Sequence, residues 1–321
     1  MRARALGLLL GVAADAVLGD PRRGHPVAVF GSAAARLERA WWADSRSRGA
    51  LYTTVLVGGV VASGVAAERF PGRWLRVLAT ATATWAVLGG RSLAGEGSAL
   101  AAELDADDLA AARRRLPSLC GRDPSSLDAD GLARAALESV AENTSDAVVA
   151  PLVWGAIAGV PGLLGYRAAN TLDAMVGHLS ARHHRFGWAS ARLDDVLNGV
   201  PARLAAFLTA GAAGSVGGRA GDAFAAWRAD AAKHPSPNAG PVEAAFAGAL
   251  GRRLGGRTVY PYGVQERPTL GSGPPPGVAD LARAVRLSRV VTAAAALVAA
   301  GVAAAVSREA HQARRRVDRG A

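Results

Sequence analysis

The run Val290–Val306, VVTAAAALVAAGVAAAV, carries Thr292 as its only polar side chain. At about 1.5 Å per residue a helix of this length approaches the hydrocarbon thickness of a bilayer, which needs roughly 17–25 residues. Arg308, Arg314, Arg315, Arg316 and Arg319 follow it. An apolar run ending in an arginine-rich tail reads as a final membrane span whose tail is cytoplasmic. Leu51–Ala67 and Trp74–Gly90 have similar length and few charges, and they are expected to cross as well. Leu6–Leu18 is short and contains Asp15. Val148–Gly165 holds Pro151 and Pro161, which break helix hydrogen bonding and suit a broken or re-entrant element. Ala202–Gly218 is rich in Ala and Gly and is expected to re-enter or lie on the surface. The alternative is a soluble helical protein with buried helices, towards which the low overall hydropathy leans.

Composition narrows the function classes. The 321 residues are 50% hydrophobic but only 5% aromatic, and the net charge of +11 comes almost wholly from arginine, since Lys233 is the only lysine. The arginines are spread between apolar blocks with no aromatic-plus-basic module, so nucleic acid is not the expected partner. Cys120 is alone, which excludes an intramolecular disulfide and a cysteine-based zinc site. Met1–Gly19 is similar to a signal peptide, but Asp15 interrupts its apolar run, and the segment is expected to be retained. No repeat and no alternating strand pattern long enough for a sheet occurs. The expected fold is all-α: a polytopic integral membrane protein, one domain over residues 1–321, with transmembrane or re-entrant helices and polar helical loops carrying the site. Ser98–Leu116 is expected as one solvated helix, and Asp128 or Asp130 as the cap of a helix running to about Glu142.

Three polar clusters carry chemistry. In Glu138–Asp146, ESVAENTSD, Glu138 and Glu142 share a helix face, where like charges destabilise one another unless a cation intervenes. Oxygen ligands at this density suit Mg²⁺, and a solvated helix face followed by a turn accounts for them equally well. In Tyr166–His178, YRAANTLDAMVGH, the residues Arg167, Asn170 and Asp173 form a polar stripe on an apolar helix. Such groups beside membrane segments line a cavity or pair internally to fix packing. His183 and His184 point different ways on a helix, so a two-histidine metal site is not expected. In Lys233–Gly240, KHPSPNAG, the one lysine sits in a rigid turn beside Ser236 and Asn238, where an ammonium can hold a phosphate. Asp20-Pro21 and His25-Pro26 form a fourth group, which capping and turn formation also explain.

These motifs, with Gly19-Asp20-Pro21, Gly121-Arg122-Asp123 and Phe186–Asp195 (FGWASARLDD), stand in an order that resembles the adenosylcobinamide-phosphate synthase family, the CobD/CbiB type, nearly end to end. Ala147 stands where that family is expected to have Gly, and Ala174 where Ser is common. The resemblance implies a cobalamin-biosynthesis enzyme in the inner (plasma) membrane with its site facing the cytoplasm. It would condense adenosylcobyric acid, a corrinoid, with (R)-1-amino-2-propanol phosphate, using ATP and Mg²⁺, to give adenosylcobinamide phosphate. The lipid bilayer is its expected surroundings, and association with other cobalamin-assembly enzymes is a further expectation. Glu138, Glu142, Asp146, Asn170, Asp173, Lys233 and His234 are the expected catalytic residues, with Glu142, Asp146 and Asp173 as metal ligands. Asp20, His25, Arg122, Asn143, Arg167, Arg192, Ser236 and Asn238 are the expected substrate- or phosphate-binding residues. Two other classes stay open. A polytopic prenyltransferase-like enzyme would use Asn170-x-x-Asp173, but Gly177 and His178 stand where its motif needs a further Asp. A corrinoid carrier would need no acidic cluster.

Overall fold

The computed structural model describes residues 2–21, 24–178, 180–260 and 263–320. In chain order the helices are α1 (Arg2–Leu18), α2 (Pro26–Trp41), α3 (Arg46–Glu68), α4 (Arg73–Val87), α5 (Gly90–Asp105), α6 (Leu109–Arg115), α7 (Ala129–Thr144), α8 (Ala150–Leu172), α9 (Trp188–Ala212), α10 (Ala220–Asp230), α11 (Ala239–Leu250) and α12 (Val278–Gly320). An antiparallel hairpin, β1 (Leu254–Tyr260) and β2 (Gly263–Leu270), stands between α11 and α12. The chain divides into two compact units: Met1–Gly89, Ala150–Asn198 and Ala295–Ala321 form the first, Gly90–Val149 and Gly199–Ala294 the second.

Among the described residues, four helical runs are long and apolar enough to cross a membrane: Arg46–Glu68, Ala129–Gly177, Trp188–Val216 and Val278–Val306. They contain the expected Leu51–Ala67 and Val290–Val306 segments. They also take in Val148–Gly165, and Ala202–Gly218 as far as Val216, each as part of a longer run of spanning length. The expected span Trp74–Gly90 is not among them. Its helix, α4, has 15 residues and stops where Leu88 turns extended. At about 1.5 Å per residue it falls short of the roughly 30 Å hydrocarbon layer. The side chains of the tail arginines Arg308, Arg314, Arg315, Arg316 and Arg319 lie outside the described residues.

In the first unit, close packing rests on small residues. A Cβ on Gly7 of α1 would fall 2.6 Å from Thr80 Cβ of α4, and one on Gly11 would fall 2.3 Å from Thr84 Cβ. This small-x-x-x-small spacing lets two helices approach where lipid offers no hydrophobic drive between them. Tyr52 and Phe186 pack with ring centroids 5.1 Å apart and planes tilted by 46°, in a core with Ala34, Leu172 and Val176. Elsewhere apolar side chains face outward: Leu51, Val55 and Val65 on α3, and Leu297, Val298 and Val302 on α12. Outward-facing aliphatic residues on long helices are what a hydrocarbon surrounding requires.

The second unit packs α5 against α7 and α10 against α11, around Leu100, Leu104, Leu116, Leu132, Leu137 and Phe246. Asp128 is the cap of α7, accepting from Gly131 N–H at 2.8 Å. The expected single helix over Ser98–Leu116 is two helices. Asp107 takes a positive φ of 58° and ends α5, and Asp108 then caps α6 by accepting from Ala111 N–H at 2.9 Å. The pair is not merely solvated, since Leu100, Leu104 and Leu116 are core residues. The fold is all-α as expected, and the short hairpin is the one strand pair among the described residues. Its alternating stretches are short, and Gly255 and Gly256 both take positive φ where the ladder is irregular.

Candidate active site

Within the second unit, three motifs distant in sequence meet on one side-chain cluster. Glu138 lies on the inward face of α7, 2% exposed. It forms a buried ion pair with Arg122 from the loop before the helix. Its other oxygen, Oε1, accepts from Gly255 N–H of the hairpin at 2.8 Å. Arg134, one turn earlier on α7, donates to Gly255 O at 2.6 Å and to Arg257 O at 2.8 Å. So α7 clasps the hairpin, and the hairpin in turn delivers Arg267. The Arg267 guanidinium donates to His234 Nε2 at 2.9 Å. Its Nδ1 accepts from Ser236 N–H at 3.0 Å and lies 3.2 Å from Ser236 O, so both ring nitrogens are held in place.

Glu243 of α11 completes the cluster. Its carboxylate is 2% exposed, with Oε1 3.5 Å from His234 Nε2 and without a hydrogen-bond partner. Burial pushes the Glu243 carboxyl well above the usual range, Glu138 and Glu142 add to the push, and Arg267 and Arg122 only partly oppose it. The proton-bearing acid is therefore favoured. Burial and the neighbouring Arg267 hold His234 below its ordinary value, so the imidazole is neutral. Glu142, one turn beyond Glu138, is half-buried and within electrostatic reach of Arg267, Arg122 and Glu138. The cluster thus joins two fixed cations, two further carboxylates, and a carboxyl and an imidazole that both favour their uncharged forms.

Around it, the remaining expected residues of this unit have local partners and settings of their own. Lys233 is exposed and pairs with Asp230 Oδ1 at 2.6 Å. Asp230 Oδ2 accepts from Gly271 N–H at 2.7 Å. Burial raises the Asp230 carboxyl, but Lys233 and the Gly271 amide outweigh it and hold it below its ordinary value. Ser236 Oγ accepts from the amides of Asn238 and Ala239, at 3.3 and 3.1 Å, and so closes the turn. Asn238 Oδ1 takes a bond from Arg203 at 3.0 Å. Asn143 donates back to Ser139 O at 3.0 Å, within its own helix. Asp146 sits in a π-helical turn, Ser145–Val149, that follows α7 directly. Such turns carry an extra residue and recur at functional sites.

The first unit has its own polar stripe. Arg167 donates to Asn170 Oδ1 at 3.5 Å, and Asn170 donates to Asp194 Oδ1 at 3.3 Å. Asn198 donates to Asp194 Oδ2 at 2.9 Å and accepts from Tyr166 OH at 2.9 Å. Asp173 lies in a second π-helical turn, Asp173–Gly177, where a Cβ on Gly177 would fall 1.8 Å from Asp173 Oδ1. Arg192 is exposed and pairs with Asp195 at 3.3 Å. Asp20 lies 3.4 Å from His25 Nε2, while His25 Nδ1 accepts from Val27 N–H and caps α2. His183 partners His178 at 3.1 Å and Glu38 at 3.1 Å, not its neighbour His184. Among the described residues no three His, Cys, Asp or Glu side chains form a ready metal cage.

Residues 8–288 match the family model described as CobD/Cbib protein. The chain belongs to this family. Relatives carrying the name "Cobalamin biosynthesis protein CobD" agree with the match. That of Mycobacterium tuberculosis (strain CDC 1551 / Oshkosh) is 60% identical over 296 residues, covering 92% of this chain and 95% of its own. That of Rhodobacter capsulatus is 44% identical over 301 residues, covering 91% and 95%. No solved structure matches the chain. For this CobD/CbiB member, sequence reasoning missed Glu243 and Arg267. Glu243 had a signal: it is the single charge in Ala239–Leu250, an otherwise apolar helix, where an ionisable group marks a site. Arg267 had none, being one arginine among many.

Proposed function

We propose that this CobD/CbiB protein acts in cobalamin biosynthesis, joining adenosylcobyric acid to (R)-1-amino-2-propanol phosphate in an ATP-dependent amide synthesis. The observation that supports the reading is the convergence of Gly121-Arg122-Asp123, ESVAENTSD and KHPSPNAG on the cluster Arg122–Glu138–Glu142–His234–Glu243–Arg267. A carboxylate resists attack because its charge repels a nucleophile and oxide is a poor leaving group. Transfer of the ATP γ-phosphoryl group to the corrinoid carboxylate gives an acyl phosphate and ADP. The amine nitrogen then bonds to the acyl carbon, the C–O electron pair leaves with phosphate, and the nitrogen sheds a proton. Arg267 and Lys233 are the cations available to phosphate oxygens. A phosphate that engages Arg267 draws the guanidinium off His234, and the neutral imidazole is then the nearby base that takes the amine's proton.

Mg²⁺, where bound, neutralises charge on phosphate oxygens. The residues fit it: Glu142 and Asp146 offer hard oxygens one turn apart, and Glu243 Oε1, in the same cluster as Glu142, is buried without a hydrogen-bond partner. Mg²⁺ binds one or two carboxylates plus phosphate and water more readily than a full protein cage. The enzyme is placed in the plasma membrane with the site facing the cytoplasm, where ATP is, and with the arginine tail on the same side. The test is an assay of the purified protein with adenosylcobyric acid, ATP, Mg²⁺ and aminopropanol phosphate, read by mass spectrometry. Expected are adenosylcobinamide phosphate and one ADP per product. Product formed equally well without ATP, or no product at all, would overturn the reading.

A further inference from the structure

A second place in the molecule, in the first unit and independent of the proposed reaction, carries an unfilled demand for an anion. Helix α8 is broken at Gly159, whose φ of 69° is non-helical. A break inside an apolar helix exposes backbone groups that lipid cannot satisfy. Here an ion pair answers them. Arg4 Nη1 donates to Ala156 O at 3.4 Å and Ile157 O at 3.1 Å, ending the first half. Glu68 Oε1 accepts from Val160 N–H at 3.0 Å, starting the second. The two side chains lie 3.5 Å from each other. A Cβ on residue 159 would fall 1.9 Å from Glu68 Oε1, so glycine is needed both for the conformation and for the approach.

A cavity of about 560 Å³ opens against this pair, and Arg73 and Arg76 from the first turns of α4 line its other side. Three guanidinium groups therefore face one carboxylate, and that carboxylate is already committed to Arg4 and Val160. Arg73 lies over the Trp74 ring at 5.2 Å, and Arg76 donates to Gly72 O at 3.4 Å. Both are exposed. The volume suits a small ligand. The same segment exposes Phe70, Trp74, Leu75 and Leu78, at 59%, 68%, 51% and 61%. Aromatic rings, aliphatic side chains and arginines gathered at the end of membrane helices mark the headgroup level of a bilayer. A basic pocket between such helices is the arrangement that takes anionic headgroups.

We propose that the Arg4–Arg73–Arg76 cavity binds the phosphate of an anionic phospholipid, with the exposed apolar residues of α4 beside its acyl chains. Phosphate is the chemistry recognised; the lipid is its source. The test uses the full-length protein, delipidated in a neutral detergent, with phosphatidylglycerol, phosphatidylcholine or inorganic phosphate added singly. Native mass spectrometry counts retained lipid, and thermal denaturation reads protection. One phosphatidylglycerol should be retained and raise the Tm, with phosphatidylcholine held far more weakly. Arg73→Gln/Arg76→Gln, altering two exposed side chains, should keep the lipid-free Tm and bind phosphatidylglycerol about thirtyfold more weakly, the attraction of two arginines to an anionic surface. Equal retention of the two lipids by the wild-type protein, or undiminished phosphatidylglycerol binding by the double variant, would overturn the proposal. Protection by millimolar inorganic phosphate, with displacement of the lipid, would overturn the lipid assignment.

Discussion

Glu138→Gln isolates the charge of the buried pair. Gln keeps an oxygen for the Gly255 amide, so the hairpin clasp survives, but Arg122, 7% exposed, loses the carboxylate it pairs with. Removing one partner of a buried pair costs about 3–5 kcal/mol, because the remaining charge stays desolvated without that partner. At about 2–4 °C per kcal/mol for a unit of this size, the lower figure lowers Tm by roughly 6–12 °C. The double variant Arg122→Met/Glu138→Gln removes both charges and retains the amide's acceptor. It should recover most of the loss, leaving a coupling energy of about 2 kcal/mol or more. The assay is thermal denaturation of the four proteins of the cycle in one detergent. If Glu138→Gln and the double variant fall equally far, the loss lies elsewhere than in the stranded guanidinium. If Glu138→Gln melts within about 1 kcal/mol of wild type, the pair is solvated and does not organise the cluster.

Three further outcomes are expected. Lys233→Ala should abolish synthesis with little change in Tm, because an exposed pair such as Lys233–Asp230 contributes at most about 1 kcal/mol; wild-type turnover at normal expression would remove Lys233 from the phosphate site. Glu142→Gln and Asp146→Asn should each raise the Mg²⁺ concentration needed for half-maximal activity or remove activity, and unchanged Mg²⁺ titrations in both would end the metal role. His234 is held below its ordinary value in the folded protein, so folding favours the neutral ring. Its contribution to stability is present above the unfolded value of about 6.5 and is lost as pH falls through the lower folded value. The Tm of the wild type should therefore decline with acidification below about 6.5 more steeply than that of His234→Gln, and parallel curves would refute the assignment.

The sequence made the apolar runs legible because lipid exposure needs only length and composition, as Val290–Val306 shows. It misread Trp74–Gly90 because a helix end is set by one residue turning extended, here Leu88, which composition does not reveal. The hairpin was hidden for a related reason: β1 and β2 pair with each other and are held by Arg134 and Glu138, which are distant in sequence. At the site, Arg122, Glu138, Glu142 and His234 were legible because each stands in a dense polar motif. Their grouping was not, since it depends on where α7, α11 and the hairpin pack. Several residues expected to touch ligand also hold the chain. Ser236 closes its own turn and Asn143 bonds one turn back, which is the common fate of short polar side chains beside free amides and carbonyls.

The division of the chain has a consequence for synthesis at the ribosome. Neither unit is a continuous stretch: the chain leaves the first after Gly89, returns at Ala150, leaves again after Asn198, and returns at Ala295. Helix α12 supplies its opening turns to one unit and its remainder to the other. A nascent chain that has emerged as far as Gly277 therefore holds two incomplete cores, however long translation pauses there. Both are finished by the same helix, within seconds of each other at about 5–20 residues per second. Folding that proceeds unit by unit from the N-terminus is closed to this topology. Until α12 arrives, half-built units in the bilayer must be protected from degradation by something other than their own stability.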